Sequence, residues 1–266
     1  MMGDESSFHG RAVLVTGAAS GIGLAISKEL AARGMRVMLA DIDEDGLSRA
    51  LPDVPGAHAV VLDTRDRAAW QAALDETERE CGPLAVIVGN AGVAGSRLSL
   101  AETSVDAWEW SRSINLDACF HALNLGLPRL ARADGPTHFV ATASLGALLV
   151  HPGNGVYSAA KAGVVALCEA ARAETRQTDT RISVLLPGRV RTALVEKNAA
   201  RAPRGVAIGE REPELEQAMR ESLDPGEVGR LVADALGTDR FWLFTHPELM
   251  GAVRDRAEEM AAAMRG

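Results

Sequence analysis

The chain has 266 residues, of which 47% are hydrophobic and 24% charged, with a formal net charge of −8. That length is ample for a buried core, the composition argues against disorder, and the acidic balance excludes the basic footprint of a nucleic-acid or anionic-membrane binder. Cys81, Cys119 and Cys168 match neither a disulfide framework nor a zinc site, so a reducing, cytoplasmic setting and no metal are expected.

Residues 11–16 form a short β-branched run that ends at Gly17, and a helical pattern follows from Gly21 to Arg33, stopped by Gly34. A second strand is expected at 36–41, a short helix at 43–51 and a third strand at 57–62. Residues 65–80 read as a helix with Gly82-Pro83 as its stop, and 84–88 are apolar throughout, as a strand buried on both faces should be. A long helix is expected over 105–131, kinked or broken at Gly126 and Pro128. A strand at 137–143 precedes Ser144, and a helix carrying Tyr157 runs to about 177. Residues 181–186 form a strand stopped by Pro187-Gly188. The polar stretch 193–222 predicts short helices and loops that form a substrate lid, with Arg201, Arg204 and Arg211 among many acids. Asp224-Pro225 starts a helix to about 236, 241–244 is a last short strand, and residues 247–266 form a C-terminal helical tail.

Strands alternating with helices predict an α/β fold: a single domain with a doubly wound, Rossmann-type, mostly parallel sheet and helices on both faces. No apolar run approaches the ~18 residues of a membrane span, and the acidic residues 1–7 do not read as a signal peptide.

Gly17, Ser20, Gly21, Ile22 and Gly23 lie between the first strand and the first helix. Glycines there let the backbone turn tightly and approach a pyrophosphate, and the helix N-terminus offers free N–H groups. Asp41 ends the second strand, where a carboxylate accepts hydrogen bonds from ribose hydroxyls and repels a 2′-phosphate. Ser20 and Ile42 stand where a cation would have been placed, so NAD is favoured over NADP. Asp63, with Thr64 after it, ends the third strand and can accept from the adenine amino group, while Asn90-Ala91-Gly92 follows the fourth strand with small residues suited to a close cofactor. Tyr157 and Lys161, four apart on one helix face, are a candidate proton-transfer pair, because an ammonium beside a phenol favours phenolate. The same spacing also arises by chance in helices.

Taken together, Thr16-Gly17-x-x-x-Gly21-Ile22-Gly23, Asn90-Ala91-Gly92, Asn115, Ser144 with Tyr157-x-x-x-Lys161, and Pro187-Gly188-x-Val190-x-Thr192 resemble the short-chain dehydrogenase/reductase family over roughly residues 10–245. Gly89 stands where an asparagine is usual, a small departure. The resemblance implies a seven-stranded sheet, Tyr157 as general acid/base, and Lys161 as the group that lowers its pKa and binds the nicotinamide ribose. It further implies that Ser144 hydrogen-bonds the substrate oxygen, that Asn115 holds a relay water, and that Thr192 and the Val190 backbone bind the carboxamide. Transfer of the pro-S hydride and a dimer or tetramer built on the Asn115 and Tyr157 helices are implied as well.

For the substrate, a small-molecule alcohol or ketone, the sequence offers Ala94, Leu145, His151, Asn154 and Arg189. Leu145, Leu148, Leu149, Val150 and Val156 suggest an apolar pocket or ordinary core packing; Arg189 either binds a carboxylate or points outward. The resulting expectation is an NAD-dependent oxidoreductase of secondary alcohols. An NADPH-dependent carbonyl or 3-oxoacyl reductase and a nucleotide-sensing or scaffold protein with a vestigial site are the alternatives.

Overall fold

The structure, a computed structural model, describes residues 8–95, 97–192, 194, 201–203, 206 and 222–264. Seven strands form one sheet: β1 (Ala12–Thr16), β2 (Arg36–Asp41), β3 (His58–Val61), β4 (Leu84–Gly89), β5 (Thr137–Thr142), β6 (Thr180–Leu186) and β7 (Trp242–Phe244). Every pairing is parallel, and the spatial order is β3-β2-β1-β4-β5-β6-β7. Among the described residues the α-helices are α1 (Gly21–Ala32), α2 (Glu44–Ala50), α3 (Arg67–Cys81), α4 (Val105–Arg112), α5 (Ala118–Leu130), α6 (Gly155–Glu174), α7 (Pro225–Ala233) and α8 (Met250–Ala263).

The period-two geometry of a strand distributes the apolar run of β1 to both faces. Ala12 and Leu14 join a core with Trp70, Leu74, Ala122 and Val164 beneath α3, α5 and α6. Val13 and Val15 join the opposite core with Ile26, Leu30, Val228 and Val232 beneath α1 and α7. Burial on both faces accounts for a continuous apolar strand without alternation. The chain winds outward from β1 to β3, then returns to place β4 on the other side of β1. This reversal opens a crevice between the carboxyl ends of β1 and β4, the usual place for a ligand in such sheets.

One expected break falls elsewhere. The long helix is interrupted by a wider π turn at Ser113–Asp117, not at Gly126 or Pro128. Gly126 serves close packing, since a Cβ there would lie 2.3 Å from Ile87 Cδ1. Pro128 sits in the final turn of α5, so the one i→i−4 hydrogen bond it forfeits lies near the helix end, and the helix still runs to Leu130. The tail folds as a short turn at Pro247–Leu249 followed by α8, which buries none of its residues. The expected lid at 193–222 lies largely outside the described residues. Among the described residues no helix is long and apolar enough to cross a membrane.

Candidate active site

A cleft of about 700 Å³ runs along the carboxyl ends of the strands. Its floor is the turn after β1. Gly17 and Gly21 have φ of +67° and +56°, a region glycine enters without strain. A Cβ on Gly17 would also stand 3.0 Å from Ala91 Cα, so the turn packs against the end of β4. Ser20, Ile22, Ala91 and Gly92 line the same cleft. Gly23 does not: a Cβ there would lie 2.2 Å from the Gly17 carbonyl oxygen, so its role is to seat α1 on the turn.

Three strand ends are stapled by one polar network. The Thr16 hydroxyl oxygen accepts from the N–H groups of Asn90 and Ala91, both at 3.0 Å. Asn90 Nδ2 donates to the Thr16 carbonyl at 3.0 Å, and Asn90 Oδ1 accepts from Thr142 Oγ1 at 3.1 Å. The Asn90 side chain thus holds β1, β4 and β5 in register where the cleft opens.

At the β2 end, Asp41 Oδ2 accepts from the Ala19 N–H at 3.1 Å and Oδ1 from the Asp43 N–H at 3.0 Å. The carboxylate is therefore fixed, with a second lone pair on each oxygen left for a ligand. Arg201 also reaches it: Nη1 lies 3.8 Å from Asp41 Oδ1, and Nη2 is 2.9 Å from Asp43 Oδ2. Nothing near Asp41 in the chain signals this cation, which arrives from 160 positions further along. Asp63 and Thr64 line the cleft as expected. Both Asp63 oxygens, however, already accept from Arg65, which holds that carboxyl below the usual range.

At the other end lie Asn115, Ser144, Tyr157 and Lys161, all lining the cleft. The Ser144 Oγ caps a short turn by accepting from the Gly146 N–H at 3.1 Å. Tyr157 and Lys161 sit one turn apart on α6, with Lys161 Nζ 5.9 Å from the phenol ring centroid. Nζ is buried and donates to the Thr142 carbonyl at 2.8 Å. Burial brings the Lys161 ammonium down to about 8. Burial likewise pushes the Tyr157 phenol above its ordinary value, and the hydrogen bond with Ser144 offsets part of that rise. The cost of enclosing a phenolate dominates at Tyr157.

Asn115 sits in the π turn. Its Oδ1 accepts from the Val93 N–H at 3.0 Å, and Nδ2 donates to the Val93 carbonyl at 3.0 Å and to Ser111 Oγ at 3.2 Å. Both amide hydrogens are thereby engaged, and the loop after β4 is tied to the helix. Behind Lys161 is a cavity of about 10 Å³ whose lining includes Asn115, Thr142 and Cys119, about the room one water requires.

Pro187, Gly188, Val190 and Thr192 line the cleft after β6. The five substrate candidates, Ala94, Leu145, His151, Asn154 and Arg189, are not in its lining. Leu145 is 5% exposed and belongs to the core, as its place beneath α6 requires. His151 and Arg189 are exposed, and the Arg189 carbonyl accepts from the Leu223 N–H. Asn154, just before α6, nevertheless stands beside the catalytic candidates: a Cβ on Gly146 would meet Ser144 Oγ at 3.4 Å, Asn154 Nδ2 at 3.5 Å and Tyr157 Cε1 at 3.6 Å. The expected apolar wall comes instead from Val93, Trp110 and Ile114, packed with Val206. The helical spacing of Ala107, Trp110 and Ile114 was the available signal for that wall.

Residues 11–203 match the family model described as short chain dehydrogenase. The chain is 35% identical over 255 residues to the 1-deoxy-11-beta-hydroxypentalenate dehydrogenase of Streptomyces exfoliatus, covering 94% of this chain and 88% of that one. It is 30% identical over 195 residues to the cyclohexanol dehydrogenase of Acinetobacter sp. (strain SE19), covering 72% and 77% respectively. A crystal structure of a short chain dehydrogenase/reductase from Burkholderia phymatum in complex with NAD superposes with a TM-score of 0.89 at 29% identity, covering 97% of this chain and 96% of that one.

Proposed function

The chain belongs to the short-chain dehydrogenase family, an oxidoreductase family that binds a nicotinamide dinucleotide, and from that premise we propose that it interconverts a secondary alcohol and a ketone with NAD. The observation that carries this reading is the convergence of Ser144, Tyr157 and Lys161 at one end of a cleft whose other end holds the fixed Asp41 carboxylate.

The residues suit a dinucleotide. Gly17 and Gly21 carry no side chain into the cleft that they line, so the backbone of the turn can approach a pyrophosphate there. The Asp41 carboxylate can accept from ribose hydroxyls, and Val190 and Thr192 line the same cleft. The names of two relatives, a hydroxypentalenate and a cyclohexanol dehydrogenase, support an alcohol substrate.

The bound dinucleotide supplies the hydride acceptor or donor, and the chain's own groups manage the proton. The Ser144 hydroxyl donates to the substrate oxygen and stabilises the negative charge that builds there. The Tyr157 phenol oxygen takes the alcohol proton in oxidation and returns it in reduction. Lys161, when protonated, favours the phenolate form by its charge. Asn115 and the small cavity beside Lys161 offer a water-sized station for passing the proton on. Assembly into a dimer or tetramer through α5 and α6 belongs to the same reading, supported by the exposed Phe120 ring on α5.

The test is a panel of secondary alcohols with NAD and, separately, NADP, read by absorbance of the reduced cofactor. Turnover with NAD is expected. Strong preference for NADP would replace this reading with an NADPH-dependent reductase, which the Arg201 contact with Asp41 favours. Binding without turnover across the panel would favour a nucleotide sensor.

A further inference from the structure

Cofactor choice in such a cleft is governed by charge at the adenosine end. A 2′-phosphate adds two negative charges beside the ribose, so a carboxylate there rejects it. Asp41, Asp43, Glu44 and Asp45 all line this end of the cleft, an arrangement that by itself predicts strong exclusion of NADP. Arg201 breaks the pattern. Its guanidinium pairs with Asp43 at 2.9 Å and stands 3.8 Å from Asp41 Oδ1. Its side chain is 39% exposed, so it is free of core packing and faces the cleft that it lines.

We propose that Arg201 is a specificity-determining residue, a cation carried in from beyond β6 that offsets Asp41 and makes the adenosine end tolerant of a 2′-phosphate. The proposal rests on the reading of the cleft as a dinucleotide site with its ribose at Asp41. Two effects act in the same direction. Arg201 attracts the phosphate directly, and by pairing with Asp43 it removes part of the repulsion from the neighbouring carboxylates. Taking away the guanidinium reverses both. A ribose with free hydroxyls carries no charge at that position, so its binding changes little. Cofactor selectivity is then the balance between a carboxylate on β2 and a cation distant in sequence.

The experiment measures Kd for NADH and for NADPH by calorimetric titration at low ionic strength, using wild type, Arg201→Gln and Arg201→Lys. In Arg201→Gln the Kd for NADPH is expected to rise about tenfold while that for NADH moves by less than about twofold. Arg201→Lys, which keeps the charge, should stay near wild type. Added salt should narrow the difference between wild type and Arg201→Gln. An equal loss of both ligands, no change in either, or tighter NADPH binding in Arg201→Gln would overturn the proposal. The wild-type ratio of the two constants tests the NAD preference, whereas its shift on substitution tests Arg201, so the two can fail separately. A wild-type protein that binds neither dinucleotide would bring down the site reading and the proposal with it.

Discussion

Lys161 Nζ donates to the carbonyl oxygen of Thr142 at 2.8 Å, which anchors the buried ammonium to the end of β5. This bond does not cancel the cost of burial, and the Lys161 pKa falls from 10.5 to about 8. An unfolded chain keeps that proton up to the ordinary value. Between about pH 8 and 10.5 the unfolded state therefore binds more protons, and native stability rises with pH through that window. Below it the full penalty is present. Lys161→Met should accordingly be more stable than wild type at pH 7, by about 2 kcal/mol after the lost hydrogen bond is deducted. That advantage should shrink toward zero near pH 10. Urea unfolding at the two pH values measures it, and a difference independent of pH would contradict the assignment.

Tyr157 is the only tyrosine in the chain, so its ionisation can be followed by the phenolate ultraviolet band without interference from another phenol. Burial raises its pKa, so the native protein should develop that band only above the ordinary value of about 10, and later than the urea-unfolded chain. The cationic nicotinamide of NAD should bring the transition down. Tyr157→Phe should lose the band and lower turnover about 10³-fold while NAD affinity stays within about threefold. Undiminished turnover would remove Tyr157 from proton transfer. Alcohol oxidation should quicken as pH rises, because the base form of the phenol is the one that accepts the proton.

Gly23 and Gly251 make a paired test of packing against helix propensity. A Cβ on Gly23 would fall 2.2 Å from the Gly17 carbonyl oxygen and 2.7 Å from Asn90 Nδ2, both in the stapled floor of the cleft. Gly23→Ala should destabilise by about 1–3 kcal/mol and weaken NADH binding, because α1 must move away from the turn. Around Gly251, on α8, nothing lies within 4 Å. Gly251→Ala should be neutral or stabilising by up to about 1 kcal/mol. Thermal melts of both variants decide whether space, rather than the glycine backbone, explains Gly23.

The parts of this site that were legible in the sequence are those whose chemistry is local. Gly17 and Gly21 announce a turn, Tyr157 and Lys161 share a helix face, and the run of 84–88 declares a strand buried on both sides. What was not legible depends on residues meeting across the fold. Leu145 follows Ser144 directly, yet its side chain turns into the core. Arg189 follows Gly188, yet faces solvent because strand-end neighbours alternate in direction. Arg201 lies far from Asp41 in sequence and beside it in space. Glycine and proline point to a break at 126–128 of the 105–131 helix, whereas the interruption lies at Ser113–Asp117, where Asn115 bonds with Val93 across the fold.

Thr245, just past β7, gives the last test, because it links the C-terminal segment to the cleft. The Gly188 N–H donates to Thr245 Oγ1 at 3.0 Å, and Oγ1 lies 2.6 Å from His246 Nδ1. On its other side the same turn is held by the Leu145 N–H, which donates to the Pro187 carbonyl at 2.9 Å. Three adjacent strand ends are thus joined from Ser144-Leu145 through Pro187-Gly188 to Thr245-His246. Since Pro187 and Gly188 line the cleft and Thr245 does not, a change at Thr245 acts on the ligand only through the turn. Thr245→Val keeps the shape but leaves the Gly188 N–H without its acceptor, which costs about 1 kcal/mol. If that cost is felt by the turn when it meets the dinucleotide, NADH binding should weaken about fivefold. Thr245→Ser, which keeps the oxygen, should restore wild-type affinity. A loss in Thr245→Ser with near wild-type affinity in Thr245→Val would trace the effect to packing of the Thr245 methyl group, which valine keeps, instead of to the bond with Gly188.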